Sequence, residues 1–241
     1  MKDEPISSHQ REFKSKTHDA VLRHAGEVLP GLWVGDIRSV SFIDDLVRMS
    51  AKNEENQKPS ATITVISVMS STNLLKYVAD LLEGKQKQMQ QSGANESENN
   101  NNAASDNSHG LNSIDINHIK VSLHDSLDAD LISVLRDTLP LIDEALGIPH
   151  DTMQCTMSEQ KDNTSSKTYN KSNHNVRVCL VHCAKGASRS VSIVIGYLLS
   201  RYPHNFQTYE GALDHVRKVR VHAMPNVRFA MELRKYANDQ S

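Results

Sequence analysis

The sequence predicts an α/β fold, a central and mostly parallel sheet flanked by helices. Three observations carry the prediction. Short runs of β-branched and apolar residues recur at 61–69, 114–123 and 176–182, the pattern of buried strands. Each run is followed by a segment whose apolar residues fall at helical spacing or, at 190–200, by an apolar stretch suited to a buried helix. Between the last strand and that helix lies a compact loop of small residues around Gly186, a form suited to binding an anion at the carboxyl end of a sheet.

Taken in order, residues 1–25 are polar and of mixed charge and read as a loosely docked tail. Within it, Arg11 to Lys16 reads as a solvated run, with a docking patch for an acidic partner as the alternative. Gly26 to Asp36 alternates and turns like a strand pair, punctuated by Pro30-Gly31 and Gly35, and places the single Trp33 in the core. Ser39 to Met49 has helical periodicity through Val40, Ile43, Leu46 and Val47, and a charged connector leads from it to the strand at 61–69. Asn73 to Leu82 reads as a short helix. From about Gly84 to Asn112 the composition collapses to Gln, Asn, Ser and Gly. Such a segment has too little apolar area to offset its ordering entropy, which predicts a disordered insertion.

The strand at 114–123 runs into His124-Asp125-Ser126-Leu127-Asp128-Ala129-Asp130, and a helix follows from Leu131 to Leu146 with Asp130 suited to its N-cap. A second polar insertion spans about 150–175. After the buried helix, His204 to His222 suggests another helix, and Met224 to Phe229 leads into a last one ending at Tyr236. The predicted organisation is a tail at 1–25 and one domain at 26–241, with insertions at about 84–112 and 150–175.

The chemistry concentrates in the loop. Cys183 opens it and Arg189 closes it, with five residues between them, so that it can wrap one tetrahedral dianion with sulfur below and guanidinium at the rim. That arrangement fits a phosphate monoester. A free thiol titrates near ~8.5, and a helix N-terminus with a nearby cation draws such thiols to roughly 3.5–7.5, which predicts a standing thiolate nucleophile. Arginine suits the closing position because its planar fork holds two phosphate oxygens at once.

His182-Cys183-Ala184-Lys185-Gly186-Ala187-Ser188-Arg189-Ser190 resembles the H-C-x-x-G-x-S-R-S signature of dual-specificity protein phosphatases, a branch of the cysteine-based protein tyrosine phosphatases. Lys185 departs from the Ala that many relatives carry. The strand pair at 26–36 and the ending A-L-D-H-V-R-K-V-R, P-N-x-x-F and L-x-x-Y are similar to the two ends of the same domain, so the resemblance runs from about Glu27 to Tyr236. It implies a phosphatase-type fold and hydrolysis of phosphotyrosine and phosphoserine or phosphothreonine in proteins, a protein kinase being one candidate substrate.

It also implies roles. The amides of Ala184, Lys185, Gly186, Ala187, Ser188 and Arg189 hold the phosphate, Ser190 hydrogen-bonds the sulfur, and His182 orders the loop. A general acid stands at the end of the strand before the helix, at Asp125 with Asp128 in reserve. No metal or organic cofactor is called for. Two other readings compete: a phosphate-binding adaptor without turnover, and a phosphatase acting on phosphoinositides or RNA 5′-phosphates, hinted at by Lys185. Arg217, Lys218 and Arg220 read as packing residues that add positive field.

Bulk properties narrow the setting. A net charge of −2 gives no reason to expect nucleic acid or a membrane surface as partner. Three cysteines argue against a disulfide scaffold and for a reducing compartment. The start has no signal-peptide pattern and no apolar run approaches the ~18 residues of a membrane span, so a cytoplasmic or nuclear location is expected. Cys179 lies too far from Cys183 along an extended strand to pair with it and reads as a core thiol. A zinc site at Cys179, His182 and Cys183 lacks a second ligand pair.

Overall fold

The computed structural model describes residues 18–51, 60–94, 113–149 and 175–240. Five strands form one sheet: β1 (Ala25–Leu29), β2 (Leu32–Gly35), β3 (Ser60–Val68), β4 (Ser113–Val121) and β5 (Asn175–His182), in the spatial order β1-β2-β5-β3-β4. β1 and β2 run antiparallel, and every other neighbouring pair is parallel. The expected mostly parallel sheet is therefore present. β5 lies between β2 and β3, buried from Val178 to His182, so the strand that leads to the loop is shielded on both sides.

Alternation along β5 divides the core in two. Val178 and Leu180 face a cluster with Trp33, Ile63 and Val65, covered by α1 (Ile43–Ser50) and α2 (Thr72–Ala94). Cys179, Val181 and Cys183 face a larger cluster built with α3 (Leu131–Leu146), α4 (Arg189–Arg201), α5 (Tyr209–Arg217) and α6 (Val227–Gln240). Trp33 belongs to the first core and donates its Nε1–H to Ser50 Oγ at 3.0 Å. Helix α4 is buried at every position from Ser190 to Leu199, as its all-round apolar sequence requires. Asp130 caps α3, its Oδ1 accepting from Ser133 N at 3.0 Å.

Four expectations are corrected. Helix α2 does not stop near Leu82 but runs on to Ala94, through the first part of the segment read as disordered. Gln86 explains much of this: its amide donates to Ile114 O and accepts from Ile116 N, at 3.2 and 3.1 Å, taking the place of a neighbouring strand along the free edge of β4. Lys85 pairs with Asp44 at 2.6 Å and Met89 packs against the core. The remainder of that insertion, and the second one up to residue 174, lie outside the described residues.

The tail is not wholly loose. Residues 18–24 are helical and Val21 is buried, while the run from Arg11 to Lys16 lies outside the described residues. The helix expected from 204 to 222 is confined to Tyr209–Arg217, begun by Thr208, whose Oγ1 accepts from Gly211 N at 3.1 Å. Lastly, the helix at 39–49 splits into a 3-10 helix at Ile37–Phe42 and α1. Asp36 is held at the start of the 3-10 turn by accepting from Arg38 N.

Candidate active site

Cys183 emerges from the end of β5 into the loop and is 2% exposed. Two donors point at its sulfur: Gly186 N at 3.2 Å and Ser190 Oγ at 3.3 Å. The Ser190 hydroxyl also lies 3.4 Å from Gly35 O, so its one proton has two available acceptors. A sulfur surrounded by donors is placed to carry negative charge.

The loop is shaped by what holds its carbonyls. Ala184 O accepts from Ile37 N, Ala187 O from Met224 N, and Ser188 O from Ser192 N. Lys185 O and Gly186 O both accept from the Arg220 guanidinium, at 3.1 Å each. Every carbonyl from Ala184 to Ser188 is thus turned outward onto the scaffold. The amides turn inward by the same rotation, and the bond from Gly186 N to sulfur marks that direction. Gly186 has φ +63°, and a Cβ there would sit 2.6 Å from the backbone of Gly35 and Asp36. Only glycine fits.

Arg220 was expected to be a packing residue that adds positive field, and its contacts are those of a structural residue. It is buried, also donates to Arg23 O at 2.8 Å and pairs with Asp36 at 3.3 Å, while His24 contacts the same carboxylate at 3.0 Å. Arg217, by contrast, donates to Ala223 O at 3.1 Å and lies 3.8 Å from Asp214.

Helix α4 opens without a side-chain cap. Ser188, at the capping position, spends its hydroxyl elsewhere, donating to Asp125 Oδ1 at 2.7 Å and accepting from Asn226 N at 3.1 Å. The first amides of α4 are left to an incoming anion. Arg189 is 15% exposed, and its Nε is buried with no hydrogen-bond partner, 4.0 Å from Asp125 Oδ2. A buried guanidinium N–H without a partner costs energy until an acceptor arrives.

Asp125 lies at the rim, 39% exposed, with Oδ1 also accepting from Asn226 Nδ2 at 2.8 Å. The sequence-predicted acid position is therefore brought to the loop, and Asn226, unassigned by sequence, is what helps hold it. The signal was present in the P-N pair but had no partner to explain it. Asp128 is different: the Ser126 hydroxyl holds its carboxyl below the usual aspartate range, the wrong direction for a proton donor. Around this rim Leu127, Met224 and Val227 are exposed by 65%, 70% and 64%.

His182 sits on the other face of the sheet, fully buried, with Nε2 at 2.7 Å from Ser67 Oγ. Desolvation pushes its pKa down to about 4, tempered by the Cys183 backbone, so the ring is neutral at pH 7. Nδ1 has no partner of hydrogen-bonding geometry. Cys179 is a buried free thiol whose pKa burial raises, in keeping with a core role. Among the described residues, no helix is long and apolar enough to cross a membrane.

Comparison with known proteins bears on the same region. Residues 146–239 match the family model "Dual specificity phosphatase, catalytic domain". The chain is 45% identical over 58 residues to Protein phosphatase Slingshot of Drosophila melanogaster, a stretch covering 24% of this chain and 5% of that protein. It is 43% identical over 58 residues to human Dual specificity protein phosphatase 22, covering 24% of this chain and 30% of that one. The chain thus spans less than a third of either relative. A crystal structure of a human DUSP28 variant superposes with a TM-score of 0.50 at 17% identity, over 90% of this chain and 95% of that one, a likeness of fold. Residues 146–239, which hold β5, the loop and helices α4 to α6, are thus the part of the chain that is similar to the catalytic domain of dual specificity phosphatases.

Proposed function

We propose that the chain hydrolyses phosphotyrosine and phosphoserine or phosphothreonine in proteins through a cysteinyl-phosphate intermediate. The observation that carries the reading is the loop itself: its carbonyls are held from outside, two donors point at its sulfur, and Arg189 Nε is buried without a hydrogen-bond partner. Phosphoryl transfer asks for little more than a positioned nucleophile and fixed donors for the equatorial oxygens.

In the first step the Cys183 thiolate attacks phosphorus, an S–P bond forms, and the P–O bond to the seryl, threonyl or tyrosyl oxygen breaks. Asp125 gives that oxygen its proton. Arg189 and the amides from Ala184 to Arg189 hold the three remaining oxygens. In the second step water attacks phosphorus, Asp125 takes the proton, and the S–P bond breaks to return the thiolate and inorganic phosphate. Ser190, whose single proton chooses between sulfur and Gly35 O, follows the charge and stabilises the departing sulfur. The acid assignment rests on geometry, since Asp125 precedes the matched stretch.

A protein substrate is favoured by the rim. The loop adds only Lys185 to Arg189 as a cation, and exposed apolar residues flank Asp125 and Asn226. A phosphoinositide or an RNA end, carrying further phosphates, calls for more cations than this. A protein kinase is one candidate substrate, and a cytoplasmic or nuclear setting suits a reaction that needs a reduced thiol.

The test is phosphate release from p-nitrophenyl phosphate with EDTA present, native chain against Cys183→Ser. Turnover by the native chain alone supports the reading, and phosphopeptides set against inositol phosphates and 5′-phosphorylated RNA then assign the substrate. Absence of turnover with retained phosphopeptide binding would give the adaptor reading the lead.

A further inference from the structure

The sheet register places a second histidine in reach of the loop from behind. Ser67 pairs with His182 across β3 and β5, and His118 pairs with Val65 across β3 and β4. His118 therefore lies on the same face as Ser67, one pleat away diagonally. The distances complete a chain: His118 Nε2 to Ser67 Oγ is 2.9 Å, and Ser67 Oγ to His182 Nε2 is 2.7 Å. Ser67 is fully buried and His118 is partly exposed on the edge strand.

A serine hydroxyl has one proton. Between two imidazole Nε2 atoms it donates to one and accepts from the other, so the two rings must present opposite states at Nε2. His182, neutral at pH 7, has one N–H to place. Whichever way the Ser67 proton points, the state of His118 Nε2 is tied to the opposite state of His182 Nε2, so the edge histidine sets the tautomer of the buried one. We propose that His118 is a positioning residue: through Ser67 it fixes His182 in one tautomer and so holds the end of β5 from which Cys183 springs.

The kinetic part of the test rests on the phosphatase reading; the spectroscopic part does not. The full-length chain, labelled with ¹⁵N at histidine, reports the tautomer of His182 through long-range ring correlations at pH 7.5. Expected is a single tautomer in the native chain and in His118→Gln, whose amide offers Ser67 both a donor and an acceptor, and a mixture in His118→Phe. With p-nitrophenyl phosphate, His118→Phe should lose about fivefold in kcat at constant KM, the weight of one hydrogen bond, while His118→Gln stays within about twofold. Ser67→Ala should match His118→Phe, and the double variant should lose no more than either, because the residues act in series.

A mixture of His182 tautomers in the native chain overturns the proposal. So does an unmoved tautomer in His118→Phe, or a Gln variant that behaves like Phe. Should His118→Phe fail to fold, the native tautomer and the Gln and Ser67→Ala variants decide the matter. A native chain without turnover counts against the phosphatase reading and leaves the tautomer result to judge His118.

Discussion

The two halves of the site are built differently. The phosphate loop is over-determined: Cys183 is buried, five carbonyls are fixed from outside, and Gly186 sits where no side chain fits. Among the described residues, the ties that hold Asp125 in the acid segment are from side chains. Asp125 is held through Ser188 and Asn226, and Leu127 two residues on lies in solvent. A rigid nest must be correct before substrate arrives, because amides aimed in advance need no reorganisation during reaction. A proton donor must reach leaving groups of different size, and a rim carboxylate on adjustable contacts allows that.

The contrast can be broken most sharply at Gly186. Gly186→Ala forces a Cβ into the Gly35 and Asp36 backbone at φ +63°, and kcat/KM should fall by about 10²–10³-fold, the weight of a misplaced oxyanion donor. Steady-state kinetics with an aryl phosphate check this; activity near the native value would mean the loop is not over-determined. Asp125→Asn should cost about 10²-fold in kcat on phosphothreonine peptides and far less on p-nitrophenyl phosphate, whose leaving group needs no proton. Equal losses on both substrates would turn Asp125 into a holder of the loop.

Acid should discriminate the halves through stability. Burial pushes the His182 pKa from the ordinary 6.5 of histidine down to about 4, so between those values the unfolded chain binds a proton that the native chain does not. Stability then rises with pH across this window and is lost as pH falls from about 6.5 through about 4. Urea unfolding should report a loss of about 2–3 kcal/mol from this group between pH 7 and 4.5, and His182→Asn should flatten the slope. An unchanged slope would assign the acid sensitivity to other groups.

The smallest effect belongs to the rim. Asn226→Ala removes the amide from Asp125 and the side-chain acceptor of Phe229 N, and kcat on phosphopeptides should drop about fivefold, on the scale of one hydrogen bond. Unchanged kinetics would leave Asp125 oriented by Ser188 alone.

What could be read in the sequence follows the same division. Strand, loop and helix from Val176 to Ser200 are contiguous, so their chemistry appears as one motif. Asp125 is separated from Ser188 by 63 residues and from Asn226 by 101, and such pairing has no local pattern. The partners of Arg220 were hidden for a related reason: a surface-type residue in a charged run is buried by Lys185, Gly186, Asp36 and Arg23, from three separate segments. The run at 84–94 looked unstructured by composition, yet Gln and Lys are good helix formers. The edge of β4 supplies Gln86 with the partners that composition could not reveal.

The outward-turned carbonyls also bear on how a turnover ends. A loop completed before its ligand arrives gives up little conformational entropy on binding. It then has no closing motion by which to favour the ester over the free anion. Inorganic phosphate, left behind when the S–P bond breaks, occupies a receptor already shaped for it, and in a phosphate-rich medium it competes with the next substrate. On the proposed mechanism, product inhibition is accordingly expected of the scaffold, and selectivity for the ester would come from what surrounds the loop.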